Sequence, residues 1–246
     1  VLEHAQKLGA DFLATGHYAR IDNTGKLPVL EKGADKRKDQ SYFLAMLAPA
    51  QLSRACFPLG DLRKSQVREI AEKNGLKPAS GGESQDICFI QRGNYAEFLE
   101  NRGKINIASG PIVDQEGHLI GRHKGLHRYT VGQRRGINCP ASAPYYVIRI
   151  DPENNQLVVG FKNTLYTDYC YIKQVNWLIP KPDNPIRVKA KIRYRHREAD
   201  ALLEPESGDR ALIRFEQPQA AIAPGQTAVC YTGDTVAVGG WIENQA

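Results

Sequence analysis

The chain has 246 residues, 41% of them hydrophobic, and 33 lysines and arginines against 27 acids give it a formal net charge of +6. That is enough apolar material for one large or two modest domains without disulfide support, and the basic balance is compatible with a polyanionic partner without demanding one. No run of about 18 apolar residues and no charged-then-apolar leader can be read. A membrane span and a signal peptide are therefore unsupported, and the cytoplasm is the expected compartment. The five cysteines, odd in number and without a Cys-x-x-Cys pair, read as reduced thiols rather than a disulfide scaffold or zinc knuckle.

Val1, Leu2, Ala5 and Leu8 recur at helical spacing, and Gly9 is a good left-handed stop. A short apolar strand ending at Gly16-His17 follows, which is the rhythm of a parallel α/β unit whose ligands sit beyond the strand ends. Gly16 would let a ligand approach the backbone, or it is a plain turn glycine. Residues 21–33 carry Asn23-Thr-Gly25 between β-like arms and predict a hairpin or an excursion from the sheet. Asp39 or Ser41 can cap a helix to about Leu47, placing Lys38, Asp39 and Gln40 where free N–H groups favour an anion; the plainer reading is a solvated basic loop. Residues 49–78 read as interrupted helix, with Val67, Ile70 and Ala71 facing inward on a stretch from Lys64 to Asn74 and Gly75 as its stop.

Glu83-Ser-Gln-Asp-Ile-Cys-Phe-Ile90 is the stretch most suggestive of chemistry. Cys88 offers a nucleophile that can carry a second sulfur, although Ile87, Phe89 and Ile90 also fit a buried core cysteine. The preceding Ser80-Gly-Gly-Glu-Ser84 looks superficially like a pyrophosphate loop, but no strand leads into it and no helix follows, so it reads as a loop carrying Cys88.

After a helix at 94–101, helical periodicity fades. Pro111-Ile-Val against His118-Leu-Ile, and residues 145–150 against 157–159, predict hairpins. Between them, residues 121–136 interleave glycines and cations with Tyr129, as either a nucleic-acid surface or a glycine-rich connector. In residues 187–197 every odd position is Lys or Arg, which predicts a strand with one cationic face. Its cations would stand about 6.6 Å apart, close to the roughly 6 Å between phosphates along one nucleic-acid strand. RNA contact fits this better than a plain solvated face. Strands at 211–215, 227–231 and 235–242 complete a small closed barrel.

The stretches Ala14-Thr-Gly-His-Tyr18, Lys38-Asp-Gln-Ser-Tyr-Phe43, Phe57-Pro-Leu-Gly60, Ile87-Cys-Phe-Ile90, Thr130-Val-Gly-Gln-Arg-Arg-Gly136, Arg193-Tyr-Arg195 and Ala223-Pro-Gly-Gln226 together, in this order, closely resemble the tRNA-specific 2-thiouridylase family. The resemblance spans nearly the whole chain. It implies an α/β tail of an adenine-nucleotide alpha-hydrolase-like (ATP-pyrophosphatase) domain over residues 1–95, a β-rich central domain over 96–163 and a C-terminal β-barrel over 164–246. It also implies an enzyme that uses ATP, with magnesium as counter-ion, to replace the C2 oxygen of the tRNA wobble uridine with sulfur. By the same resemblance Cys88 is the persulfide-carrying catalytic cysteine and Gly16 belongs to the ATP site. His17, Lys38, Asp39, Gln40, Arg193, Tyr194 and Gln226 contact tRNA. A sulfur-relay protein is the expected donor, and the protein is expected to be a monomer.

The family's pyrophosphate loop and first catalytic cysteine have no match here and are expected to precede Val1. Ser-Gln-Asp stands before Cys88, where many relatives have Ser-Thr-Gly, which leaves open how that thiol is activated. Two other readings compete: a non-catalytic RNA-binding module with Cys88 in its core, and an adenylating enzyme of the amidotransferase-synthetase type, which would have no use for a basic strand.

Overall fold

The computed structural model describes residues 1–76, 95–102 and 108–244. The Ser80–Ser84 stretch and Cys88 lie outside the described residues. Two compact units are formed, one from Val1–Pro78, Asp168–Gln217 and Pro224–Ala246, the other from Ala79–Thr167 and Pro218–Ala223.

The first unit opens with α1 (Leu2–Lys7), which ends before Gly9 at φ +80°. Then come β1 (Leu13–Ala14), the hairpin β2 (Ala19–Asp22) and β3 (Val29–Lys32), the single helical turn α2 (Ser41–Leu44), α3 (Pro49–Leu52), β4 (Ala55–Cys56) and α4 (Lys64–Lys73). β1 and β4 pair in parallel, Leu13 opposite Ala55 and Ala14 opposite Cys56. β4 escaped the sequence reading because two residues cannot display a period of two.

Two expectations need correction. The helix predicted to reach Leu47 stops at Leu44, and the chain is extended at Ala48, before Pro49 (φ −63°, ψ 150°), as a residue preceding proline prefers. The stretch after it is held instead by Asn176, whose side-chain amide donates to the carbonyls of Ala45 and Leu47, each at 2.8 Å. The inward face assigned to α4 is only partly formed, with Val67 and Ala71 half-buried. Ile70 is 47% exposed and, among the described residues, no side chain of this helix is fully buried.

The second unit contains α5 (Tyr95–Asn101), β5 (Gly110–Val113), β6 (Leu119–His123), β7 (Tyr146–Asp151) and β8 (Gln156–Gly160), with sheet order β6-β5-β8-β7. Both predicted hairpins form, and β5 also pairs β8 in parallel. Ile112, Ile137, Val147, Leu157 and Val159 make its core.

The rest of the first unit is β9 (Tyr166–Trp177), β10 (Ile186–Lys191), β11 (Ala199–Pro205), β12 (Ala211–Ala220), β13 (Thr227–Thr232) and β14 (Thr235–Ile242). The order β13-β10-β11-β12-β9-β14, with β14 returning to β13, closes a six-stranded barrel, and β3 and β2 extend the sheet from β14. Closure removes the unpaired edges that an open sheet would expose. Side chains with no exposure on these strands include Cys170, Ile172, Ala190, Leu203, Ile213 and Cys230.

Residues 39–47 lie against this barrel, and one buried carboxylate fixes them there. Oδ1 of Asp39 accepts the backbone N–H of Gly33 (3.0 Å) and of Ser41 (3.1 Å), and its Oδ2 accepts the Ser41 hydroxyl (2.9 Å). Ser41 in turn meets the Tyr231 hydroxyl of β13 at 3.3 Å. The Tyr42 hydroxyl donates to the Thr227 carbonyl at 2.7 Å. Leu30, Tyr42, Leu44, Ala45, Leu52, Leu178, Val229, Tyr231 and Val236 pack as one core around these bonds. Gly239 of β14 makes room, since a Cβ there would stand 2.7 Å from the Ala45 carbonyl oxygen.

Asp39→Ala would strand two backbone donors and a hydroxyl in a buried site. At about 1–3 kcal/mol per unsatisfied group, it is expected to lower stability by about 3 kcal/mol or more, read as a fall in the urea midpoint, with Asp39→Asn losing less because an amide oxygen still accepts the two N–H groups. An unchanged midpoint for the alanine variant would remove Asp39 from this role. Gly60 is a steric case: a Cβ would come within 2.1 Å of the Ala19 carbonyl oxygen. Gly60→Ala should cost about 1–3 kcal/mol, as overpacking does, in the same measurement.

Candidate nucleic-acid interface

Beyond β1, Gly16 is exposed and, among the described residues, a Cβ added to it would meet only the Leu59 side chain, at an ordinary 3.6 Å. The half-buried His17 is oriented by the Thr15 hydroxyl at Nδ1 (2.7 Å) and by the edge of the Phe57 ring (5.8 Å). Cys56 is exposed at the end of β4, its carbonyl accepting the Thr15 N–H at 3.0 Å. Tyr18, next in line, has a buried hydroxyl without a hydrogen-bond partner among the described residues. Its backbone holds Gln40 at two points: the Tyr18 N–H donates to Gln40 Oε1 (3.0 Å), and the Gln40 N–H donates to the Tyr18 carbonyl (2.9 Å).

The anion cup expected at Lys38, Asp39 and Gln40 does not form as a helix terminus. α2 has four residues, too few peptide dipoles to build a useful field, and the buried Asp39 carboxylate already occupies the Ser41 N–H. What the three residues share is a fixed backbone rather than a set of free N–H groups.

The cationic ladder at 187–197 is likewise shorter than its pattern predicts. Pairing with β11 ends at Ala190 opposite Ala199, and the chain turns at Arg193, whose carbonyl accepts the His196 N–H at 3.0 Å. Arg187 and Lys189 on the strand pair with Glu216 (3.3 Å) and Asp200 (2.7 Å). Lys191 is half-buried, its ammonium 5.7 Å and 5.9 Å from the centres of the Tyr194 and Tyr42 rings. Burial pulls the Lys191 pKa down, while Asp39 and Glu198 act the other way. Burial, with Arg193 beside it, also holds the His196 pKa below the usual imidazole value. Arg193, Arg195 and Arg197 are exposed in the turn.

Aromatic contacts join the two segments. Phe43 and Tyr194 have ring centres 4.4 Å apart, and Tyr42 stands 6.1 Å from Tyr194. Gln226 is exposed on the turn before β13, its carbonyl accepting the Ile242 N–H at 2.8 Å. It directly precedes Thr227, the acceptor of the Tyr42 hydroxyl. Segments 16–18, 38–43, 193–195 and 226 are thus linked contact by contact, although up to some 200 residues apart in sequence.

Sequence reasoning missed the support beneath them. Lys32, 7% exposed, pairs with Glu198 at 2.7 Å, donates to the Gly233 carbonyl at 3.1 Å and lies 4.3 Å from the Tyr231 ring centre. Nothing in a single lysine on a hairpin strand signals burial. The doubled Gly239-Gly240 in a strand was the one available sign of a close backbone approach.

In the second unit, the glycine and cation stretch is a built loop. Gln133 accepts from the Thr130 N–H (3.1 Å) and donates to the Arg135 carbonyl (2.8 Å), and Gly132, at φ +84°, would bring a Cβ within 2.5 Å of Ala221. Arg134 and Arg135 are exposed, whereas Arg128 pairs with Glu100 at 2.6 Å. Cys56, Cys139, Cys170 and Cys230 are free thiols, and burial pushes the Cys170 thiol up to about 12, where it is inert.

Family models match three successive segments: a tRNA methyl transferase HUP domain over residues 1–92, a tRNA methyl transferase PRC-barrel domain over 96–161 and an aminomethyltransferase β-barrel domain over 167–242. This is the architecture expected from the sequence, an α/β tail followed by a β-rich domain and a β-barrel. Relatives named tRNA-specific 2-thiouridylase MnmA match almost the whole chain. The protein from Syntrophotalea carbinolica is 46% identical over 98% of this chain and 69% of its own length. That from Desulfosudis oleivorans is 48% identical over 98% and 67%, and that from Geotalea uraniireducens 43% identical over 99% and 65%. The chain thus spans about two thirds of the length of these relatives. It belongs to the tRNA-specific 2-thiouridylase MnmA family, whose members are tRNA-uridine 2-sulfurtransferases.

Proposed function

We propose that this protein takes part in the ATP-dependent 2-thiolation of the wobble uridine of tRNA, in the cytoplasm and as a monomer, with sulfur received from a relay protein and delivered through Cys88. The observation that carries the reading is the contact of Phe43 with Tyr194. It brings the Lys38–Gln40 and Arg193–Tyr194 segments together, as a common RNA ligand would require.

On this reading His17, Lys38, Gln40, Arg193, Tyr194 and Gln226 touch the tRNA. Asp39, buried at 8% exposure, contributes by fixing the backbone between Lys38 and Gln40. Gly16 fits a nucleotide, since its exposed face at the end of a parallel strand lets a phosphate or ribose approach the backbone. ATP bound there, with magnesium as counter-ion, would supply the group that turns the uridine C2 oxygen into a leaving group. The terminal sulfur of a Cys88 persulfide then attacks C2 as the C2–O bond breaks, and a second thiol releases Cys88 as a disulfide. Among the described residues no helix is long and apolar enough to cross a membrane.

The test is complementation of a strain lacking 2-thiouridine with the gene for this protein, followed by mass spectrometry of the wobble nucleoside. Wild type should restore the thiolated base, and Cys88→Ser should reduce it to background. Undiminished thiolation by Cys88→Ser would end the sulfur-carrier role. No thiolation by wild type would end the proposal as a whole.

A further inference from the structure

Phe43 is the odd member of α2. Ser41, Tyr42 and Leu44 of that turn are buried, whereas Phe43 is 55% exposed. A phenylalanine left half in water forfeits about half of the stabilisation that its burial would contribute. Yet the ring is not loose. Tyr194 lies against it at 4.4 Å with the planes 37° apart, Tyr42 meets it edge-on at 5.7 Å, and the two tyrosines contact each other at 6.1 Å. The Lys191 ammonium beside both tyrosines adds a cation–π hold. The result is a braced aromatic platform facing solvent.

Charge decides what covers it. Arg37 and Lys38 precede Phe43 in the chain, and Arg193, Arg195 and Arg197 are exposed around Tyr194. Asp39 is consumed by its hydrogen bonds and Glu198 by Lys32. Among the described residues neither Arg193 nor Arg197 makes an ion pair. A flat apolar ring among cations suits an unpaired nucleobase with its phosphate, not the apolar face of a protein partner.

We infer that Phe43, braced by Tyr194, is the stacking surface for one unpaired base of the bound RNA, with Arg193 taking an adjacent phosphate. This rests on the RNA-binding part of the proposed function and adds a residue and a mode of recognition to it. Stacking requires only a π-face, so the platform contributes affinity without reading sequence.

The experiment is equilibrium binding of an unmodified tRNA transcript to the protein over a series of salt concentrations, for wild type, Phe43→Ala, Phe43→Leu, Phe43→Tyr and Arg193→Ala. Phe43→Ala and Phe43→Leu should both weaken binding about tenfold at every salt concentration, with the slope of log affinity against log salt unchanged, and Phe43→Tyr should bind as wild type does. Arg193→Ala should instead flatten that slope by about 0.7, one phosphate contact on an unpaired strand. Leucine keeps the apolar bulk and removes only the π-face, so it separates stacking from folding. Wild-type affinity in Phe43→Leu, or a changed salt slope in it, would overturn the platform alone. Failure of wild type to bind tRNA would overturn the proposed function with it.

Discussion

One buried carboxylate holds the first unit in its arrangement. Asp39 accepts from Gly33 at the end of the hairpin and from Ser41 at the start of α2, and through Ser41 it reaches Tyr231 of the barrel. Stripped of partners, a carboxylate in such a place would be strongly destabilising, and fully hydrogen-bonded it specifies one geometry. Hairpin, helical turn and barrel strand are each marginal alone. The shared acceptor makes their positions mutually dependent.

That dependence is what turns scattered residues into a surface. Gln40 is clamped to Tyr18, Tyr42 reaches over to Thr227, and Phe43 leans on Tyr194. Each of these bonds crosses between segments far apart in the chain. Ordering is therefore done once, on folding, and is not repeated when a ligand arrives, which is how a preorganised surface gains affinity without added contacts. Lys32, bonded to Glu198 and stacked on Tyr231, stiffens the same place from beneath. Its ammonium is satisfied internally, so its role is support.

The sequence was legible where periodicity or turn chemistry is local. The hairpins at 19–32, 110–123 and 146–160, the stop at Gly9 and the strand at Thr235–Ile242 are all legible in the residues themselves. β9 could not, because Gln174 at φ +50° breaks its alternation, nor could β4, which is two residues long. The joining of the hairpin to β14 was invisible, since nothing in a strand names its partner. At the interface, the motif residues were found by resemblance, but the buried role of Asp39 and the bracing of Tyr194 depend on contacts between distant segments. The clearest pattern of all, the alternating cations of 187–197, misled in its length. Alternation records which side is buried, and that held through Ile192, while strand pairing had already ended at Lys191.

The same stretch shows why a count of positive residues is a poor guide to where a polyanion would lie. Arg187 and Lys189 face Glu216 and Asp200, so a phosphate arriving at the strand would have to displace a carboxylate from each cation. Those pairs are exposed and weakened by solvent screening, yet the displaced acids would remain alongside and repel the newcomer. At the turn the local balance is different. Arg193 and Arg197 make no ion pair among the described residues, and the nearby acids Asp39 and Glu198 are already engaged within the fold. Within this stretch, attraction to a polyanion is therefore greater where the strand ends, beside the rings of Phe43 and Tyr194, than along the strand. The departure from an ideal ladder is what places charge and aromatic surface together.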